Sequence, residues 1–207
     1  MKYERKNIYD IILRLSHAVM ALSCLVLMLS AWGANMLFEE GLYRKSLWIV
    51  HIFAGYGLIG SFSIRFIWGF VGPKHARWTE LFKFREWLGV IKNKTLNIKW
   101  DWGHHPFASL AYLSFYGGVL VLSVTGIVLA AIEHNQGPLA EKLFDELSLK
   151  HDFAEVHELF AWFIVFFTVT HLVALVWHER KDKIPVAQSM ISGYQYKEVQ
   201  DENQQNG

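Results

Sequence analysis

Four runs of predominantly apolar residues, at about 15–38, 47–71, 106–132 and 156–178, each have the length needed to cross a bilayer. A soluble domain of 207 residues does not carry four such runs, and inside lipid only helices or closed barrels satisfy the backbone. With 53% hydrophobic residues, fifteen Phe, nine Trp and a mean hydropathy of +0.20, the expected fold is an all-α integral membrane protein. Its four transmembrane helices form an up-down bundle, and residues 1–207 read as a single membrane domain. The net charge of +1 argues against nucleic acid as a partner. The single Cys24, placed mid-span, excludes a disulfide framework or a CxxC redox pair and reads as a small packing residue.

Between the spans the chain is punctuated by polar and amphipathic segments. The basic leader MKYERKNIYDIILR resembles a signal-peptide n-region, but the run behind it spans a bilayer and shows no small-residue cleavage site, so it is expected to be retained. In the long connection 72–105, WTELFKFREWLGVI has the pattern of an interfacial helix, Trp and Leu on one side and Lys and Arg on the other. Leu139, Leu143 and Leu147 have helical spacing and predict a second interfacial helix in the loop before the last span. Pro106 suits the first turn of the third span. The tail 179–207 is polar, and its end, EVQDENQQNG, has the composition of disorder. The leader, the 72–105 segment and the tail carry four, seven and four Lys or Arg, against two in each of the other loops. The positive-inside rule therefore places both termini on the cytoplasmic side of the membrane.

With that orientation each histidine acquires a depth. His157 and His171 bracket thirteen residues, HELFAWFIVFFTVTH, so fourteen helical steps separate them by about 21 Å and about 40°. One helix thus carries two imidazoles on one stripe, one near each surface. Ionisable groups in a span are expensive and mark function. Span one rises from the cytoplasm with His17 at the inner level; span two descends with His51 at the outer level. Two level pairs result, His51 with His157 and His17 with His171.

The neighbouring residues suit a flat ring at each pair. Four positions beyond the histidines stand Ala21, Gly55 and Ala161, although Leu175 breaks the pattern. Small residues there equally suit close helix packing. Arg65, fourteen residues after His51, falls on the same face at the inner level, where it either meets an anion such as a haem propionate or snorkels to the surface. Bis-histidine ligation of haem iron fits paired imidazoles with no acidic third ligand. Zinc would need further ligands at the same depth, and a proton relay would need carboxylates inside the spans, where spans one and four offer only Glu158. No Ser or Cys belongs to a nucleophile motif. The absence of CxxCH predicts non-covalent haem b, two per chain. His178, one heptad beyond His171, is the rival inner ligand. His104 and His105 head span three and could touch a propionate or a quinone; His75, His134 and His151 lie in loops.

RLSH opening span one, HIFAGYGLIGSFSIRFIWGFVGPKHARW through span two, GHHPFASLAY at span three and H-x13-H in span four resemble the bacterial diheme cytochrome b family. The likeness is strongest to the b-type cytochrome subunits of membrane-bound nickel–iron hydrogenases, and the tail segment IPVAQSMISGYQY shares it; it runs from Tyr9 to Lys197. The resemblance implies haem ligands at His17, His51, His157 and His171. It further implies a periplasmic partner with iron–sulfur clusters, the hydrogenase small subunit, and electron delivery to the quinone pool, so that the chain is an electron-transfer subunit. The family's third span commonly opens Gly-His-Asn-Pro, whereas here the residues are Gly103, His104, His105 and Pro106. His104 carries over as a cofactor-binding residue and His105 does not. Three other readings remain open: a cytochrome b serving another periplasmic reductase or multihaem cytochrome, a stand-alone quinone-linked cytochrome, and a redox-inactive anchor.

Overall fold

A computed structural model of the chain describes residues 3–37, 40–82, 87–88, 106–144, 146–182 and 185–198. Four long helices carry the fold: α1 (Ile11–Met36), α2 (Leu42–Val71), α3 (Pro106–His134) and, after a one-turn α4 (Ala140–Leu143), α5 (Leu147–Asp182). All four long helices are apolar and long enough to cross a membrane, and much of their outer surface is exposed Leu, Val, Ile, Phe and Trp. The chain is a four-span membrane protein.

The helices associate in two close pairs, α1 with α2 and α3 with α5, while α2 meets α3 more loosely. Small residues let the first pair approach. Ser16, Ser23 and Ser30 recur every seven residues along the buried seam of α1, and Ser23 Oγ would sit 3.0 Å from a Cβ placed on Gly57. In a bilayer, where burial of apolar surface drives nothing, such close backbone contact is what holds helices together. Ser16 Oγ and Ser30 Oγ donate within the helix, to Leu13 O at 3.0 Å and to Val26 O at 2.7 Å. At mid-height the four helices meet in one apolar layer of Met20 and Cys24 from α1, Leu58 from α2, Val119 from α3 and Ile164 from α5.

Of the two loops expected to hold interfacial helices, the one before the last span differs from that expectation. The leucine-spaced segment forms only the single turn of α4, and Phe144 ends it. Leu147 instead starts α5, which runs nine residues further toward its N-terminus than the apolar span at 156–178. A 36-residue helix is about 54 Å long, well beyond a ~30 Å hydrocarbon core, so its first turns stand clear of the membrane. In the 72–105 segment the chain leaves α2 through two 3-10 turns, Lys74–Ala76 and Trp78–Glu80. Most of the interfacial helix expected there, and His104 and His105, lie outside the described residues.

A second difference is at the chain ends. The basic leader and the tail form a two-stranded antiparallel sheet, β1 (Tyr3–Asn7) with β2 (Tyr194–Glu198), pairing Arg5 with Tyr196. Between α5 and β2 a short helix, α6 (Ala187–Ser192), ends at Gly193, whose φ of +86° favours glycine. Gly193 O accepts from the amides of Ile8 and Tyr9 at 3.0 and 3.1 Å. Arg14 of α1 donates through Nε to Met190 O at 3.3 Å and through Nη2 to Ile191 O, satisfying carbonyls at the end of α6. Glu179 Oε1 accepts from Ala187 N at 2.8 Å and ties α6 to α5. Burial, reinforced by Tyr112, pushes the Tyr9 hydroxyl up to about 12, so it stays protonated at this junction. Of the tail segment expected to be disordered, only Glu198 is described, and it belongs to β2. The end of the bundle that carries β1 and β2 is the terminal end, and the opposite one the distal end.

Candidate functional site

Asp10 sets the start of α1 by accepting from Ile12 N and Leu13 N at 3.0 and 3.1 Å, and it binds the end of α2 by accepting from Trp68 Nε1 at 3.0 Å. These contacts fix α1 and α2 relative to one another, and with them the heights of His17 and His51. The structure brings His17 of α1 within electrostatic range of His171 of α5, and His51 of α2 within range of His157 of α5. Both pairs bridge helices that are not among the closely packed ones: α5 pairs with α3, and α1 with α2. The apolar layer of Leu58 and Ile164, each seven residues from a candidate histidine, separates the levels.

At the distal level the hydrogen bonds select a tautomer. His51 Nδ1 lies 3.1 Å from Leu27 O, which can only accept, so the proton is on Nδ1; Ser30 Oγ adds a contact at 3.2 Å. His157 Nδ1 lies 2.8 Å from Thr125 Oγ1; with the Thr125 proton on Val121 O, 2.9 Å away, the hydroxyl accepts from the ring. Each ring's Nε2 then keeps its lone pair. A metal-ligating histidine is held in this way, with its other nitrogen donating to a carbonyl or hydroxyl. Gly126 leaves room for the His157 ring, since a Cβ there would approach Cε1 to 3.3 Å. Sequence reading missed Ser30 and Thr125. Their signal was a polar residue inside a span, which ordinary helix packing also produces.

At the terminal level, Phe167 stacks on His171 with ring centroids 6.1 Å apart and planes 7° apart. His178, the rival ligand one heptad further on, is exposed. Arg65 does not snorkel: it is 2% exposed. Its Nε donates to Tyr116 OH at 3.2 Å, and the guanidinium carbon lies 4.8 Å from the Trp78 ring centroid and 5.6 Å from that of Tyr116. Trp78 is itself fixed by donating to Phe66 O at 3.0 Å and by lying over Gly69, where any Cβ would collide with the indole. Buried Nη1 of Arg65 has no hydrogen-bond partner among the described residues. A buried guanidinium with an orphaned nitrogen calls for an anion.

These residues fit a bis-histidine haem at each level. Two rings present Nε2, open space lies beside Gly55 four residues beyond His51, and an unpaired buried cation awaits a carboxylate near one end. Among the described residues no three His, Cys, Asp or Glu side chains converge as a metal cluster. Of the other sequence candidates, His75 Nδ1 is buried and unpartnered among the described residues, and His151 pairs with Glu155 at 3.2 Å on the exposed start of α5.

Comparison with known proteins places the chain in a family. The chain is similar to the probable Ni/Fe-hydrogenase B-type cytochrome subunit of Azotobacter chroococcum mcd 1, with 31% identity over 89% of this chain and 84% of the relative. The proteins of the same description from Azotobacter vinelandii and Bradyrhizobium diazoefficiens are 28% and 27% identical, each over 90% of this chain and over 87% and 84% of their own lengths. Residues 8–193, which include all four candidate ligands, match the family described as prokaryotic cytochrome b561, and the chain belongs to that family.

Proposed function

We propose that this chain is a diheme electron conduit, passing electrons from a periplasmic nickel–iron hydrogenase to the quinone pool. Family membership implies haem b, and the names of the relatives support the hydrogenase as donor. The observation that carries the diheme reading is the pair of imidazole couples at two levels, each bridging helices that do not pack closely. His51 with His157 and His17 with His171 are the ligand pairs, and Arg65 is the propionate partner at the terminal level. Bound haem b supplies one-electron iron chemistry. The chain's own part is to hold the rings by Nε2, to exclude water with its apolar middle layer, and to set potential through nearby charge.

Orientation follows from the loop charges: the terminal end faces the cytoplasm and the distal end the periplasm. Electrons then enter beside His51 and His157 and leave beside His17 and His171, where quinone is reduced. The test is the complex isolated from native membranes and exposed to hydrogen. The expected result is co-purification of a hydrogenase small subunit and hydrogen-dependent growth of a split reduced α-band. A colourless chain would make it a membrane anchor, and a haem-loaded chain that hydrogen does not reduce would have another donor.

A further inference from the structure

Arg65 has a counterpart on the same stripe of α2 at the distal end. Counting back from His51, Trp48 lies about one turn away and Arg44 two; seven residues return a helix to within about 20° of the same face, ~10.5 Å along it. The Trp48 ring meets His51 edge-on with centroids 5.4 Å apart and lies 6.0 Å from His134, the last residue of α3. His134 is also within electrostatic range of His51. Arg44, Lys45, Trp48 and His134 line an open cleft of about 590 Å³, with Glu40 the carboxylate on its wall. Two permanent cations and one carboxylate are among its described lining residues, next to a ring that touches a candidate haem ligand.

The middle of the bundle decides which way a carboxylate near His51 must turn. Toward the centre lie Leu58, Val119 and Ile164, all buried and apolar, and an ionised group there would be desolvated without a partner. Toward the distal surface lie Arg44 and Lys45. We propose that this cleft is a carboxylate-binding site that holds the propionate end of the distal haem, so that α2 anchors one cofactor at each end, through Arg44 and through Arg65. The proposal rests on the diheme reading above. The two anchors differ in kind: Arg65 is sealed beneath Trp78, whereas Arg44 is half-buried and Lys45 exposed. The distal contact is accordingly the one that salt screens.

The test is a redox titration of the purified, haem-loaded chain without any donor protein, comparing it with Arg44→Gln/Lys45→Gln. The distal component is identified beforehand as the one lost in His157→Ala. Both haems should remain, the distal midpoint potential should shift downward, the terminal one should stay, and high salt should shrink the difference. Should the double variant fail to load haem, Lys45→Glu, an exposed change, supplies the same readout with the same sign. An unchanged distal potential in a variant that keeps both haems overturns the proposal. So does a variant with unchanged potentials whose only defect is slower reduction by an acidic donor protein, because the carboxylates would then belong to that donor. A single haem in the unsubstituted chain would instead refute the diheme reading, independently of this cleft.

Discussion

The two ends of the bundle hold their histidines by different means. At the distal end hydrogen bonds do it: Leu27 O and Thr125 Oγ1 take the Nδ1 protons of His51 and His157 and fix which nitrogen faces inward. At the terminal end packing and charge do it: Phe167 stacks on His171, and a buried arginine boxed by Trp78 and Tyr116 waits for an anion. Under the proposed diheme function, the difference teaches that ligand orientation and cofactor charge are controlled by separate residues. Each end can therefore be perturbed in one property without the other.

The largest effect is expected from removing a whole level. His51→Ala/His157→Ala and His17→Ala/His171→Ala should each lower the haem content from two per chain to one, as counted by a pyridine haemochrome assay. Retention of two haems in either double variant would break the comparison outright.

Next in size is Arg65→Leu. A unit charge within ~10 Å is worth about 1–2 kcal/mol at an effective dielectric near 20. Removing the cation favours the oxidised, more positive iron, so the terminal potential should fall while the distal one holds. Equal shifts of both components in a redox titration would show that the ends are not electrostatically separate.

Thr125→Val probes orientation alone. It leaves the His157 N–H unpaired in a dry site, a loss of about 1–3 kcal/mol, and second-layer changes of this kind weaken metal holding by roughly 10–100-fold. Haem dissociation at the distal level should accelerate, with the terminal haem untouched. Ser30→Ala should do less, because Leu27 O still accepts from His51. Equal effects of the two variants would contradict the tautomer assignment.

The smallest effect is expected at the terminal sheet. Gly193→Ala adds a Cβ against Tyr9 O at a positive φ, which should lower thermal stability by about 1 kcal/mol or more without moving either haem spectrum. A spectral change would mean that the sheet reaches the terminal pair.

Much of this was legible in the sequence because membranes make strong demands. Apolar length gave the four helices, and a fourteen-residue interval on α5 gave two levels from one helix. Arg65 was visible as a cation in an apolar span, but its neighbours were not. Tyr116 comes from α3 and Trp78 from the turn after α2, and no local pattern joins them to position 65. The sheet was hidden for a similar reason. YERKN shows no apolar alternation and YQYKE only that of Tyr194 and Tyr196, and each finds its partner at the other end of the chain. The leucines at 139, 143 and 147 have helical spacing, yet the chain breaks after Leu143 and Leu147 is taken into α5. Spacing identifies a face but not the place where a helix stops.

The central claim is the assignment of ligands by level, and optical spectra of the four single variants test it most directly. His51→Ala and His157→Ala should erase one and the same component of the reduced α-band, and His17→Ala and His171→Ala the other. If His17→Ala and His51→Ala erased the same component, the two-level account would be wrong.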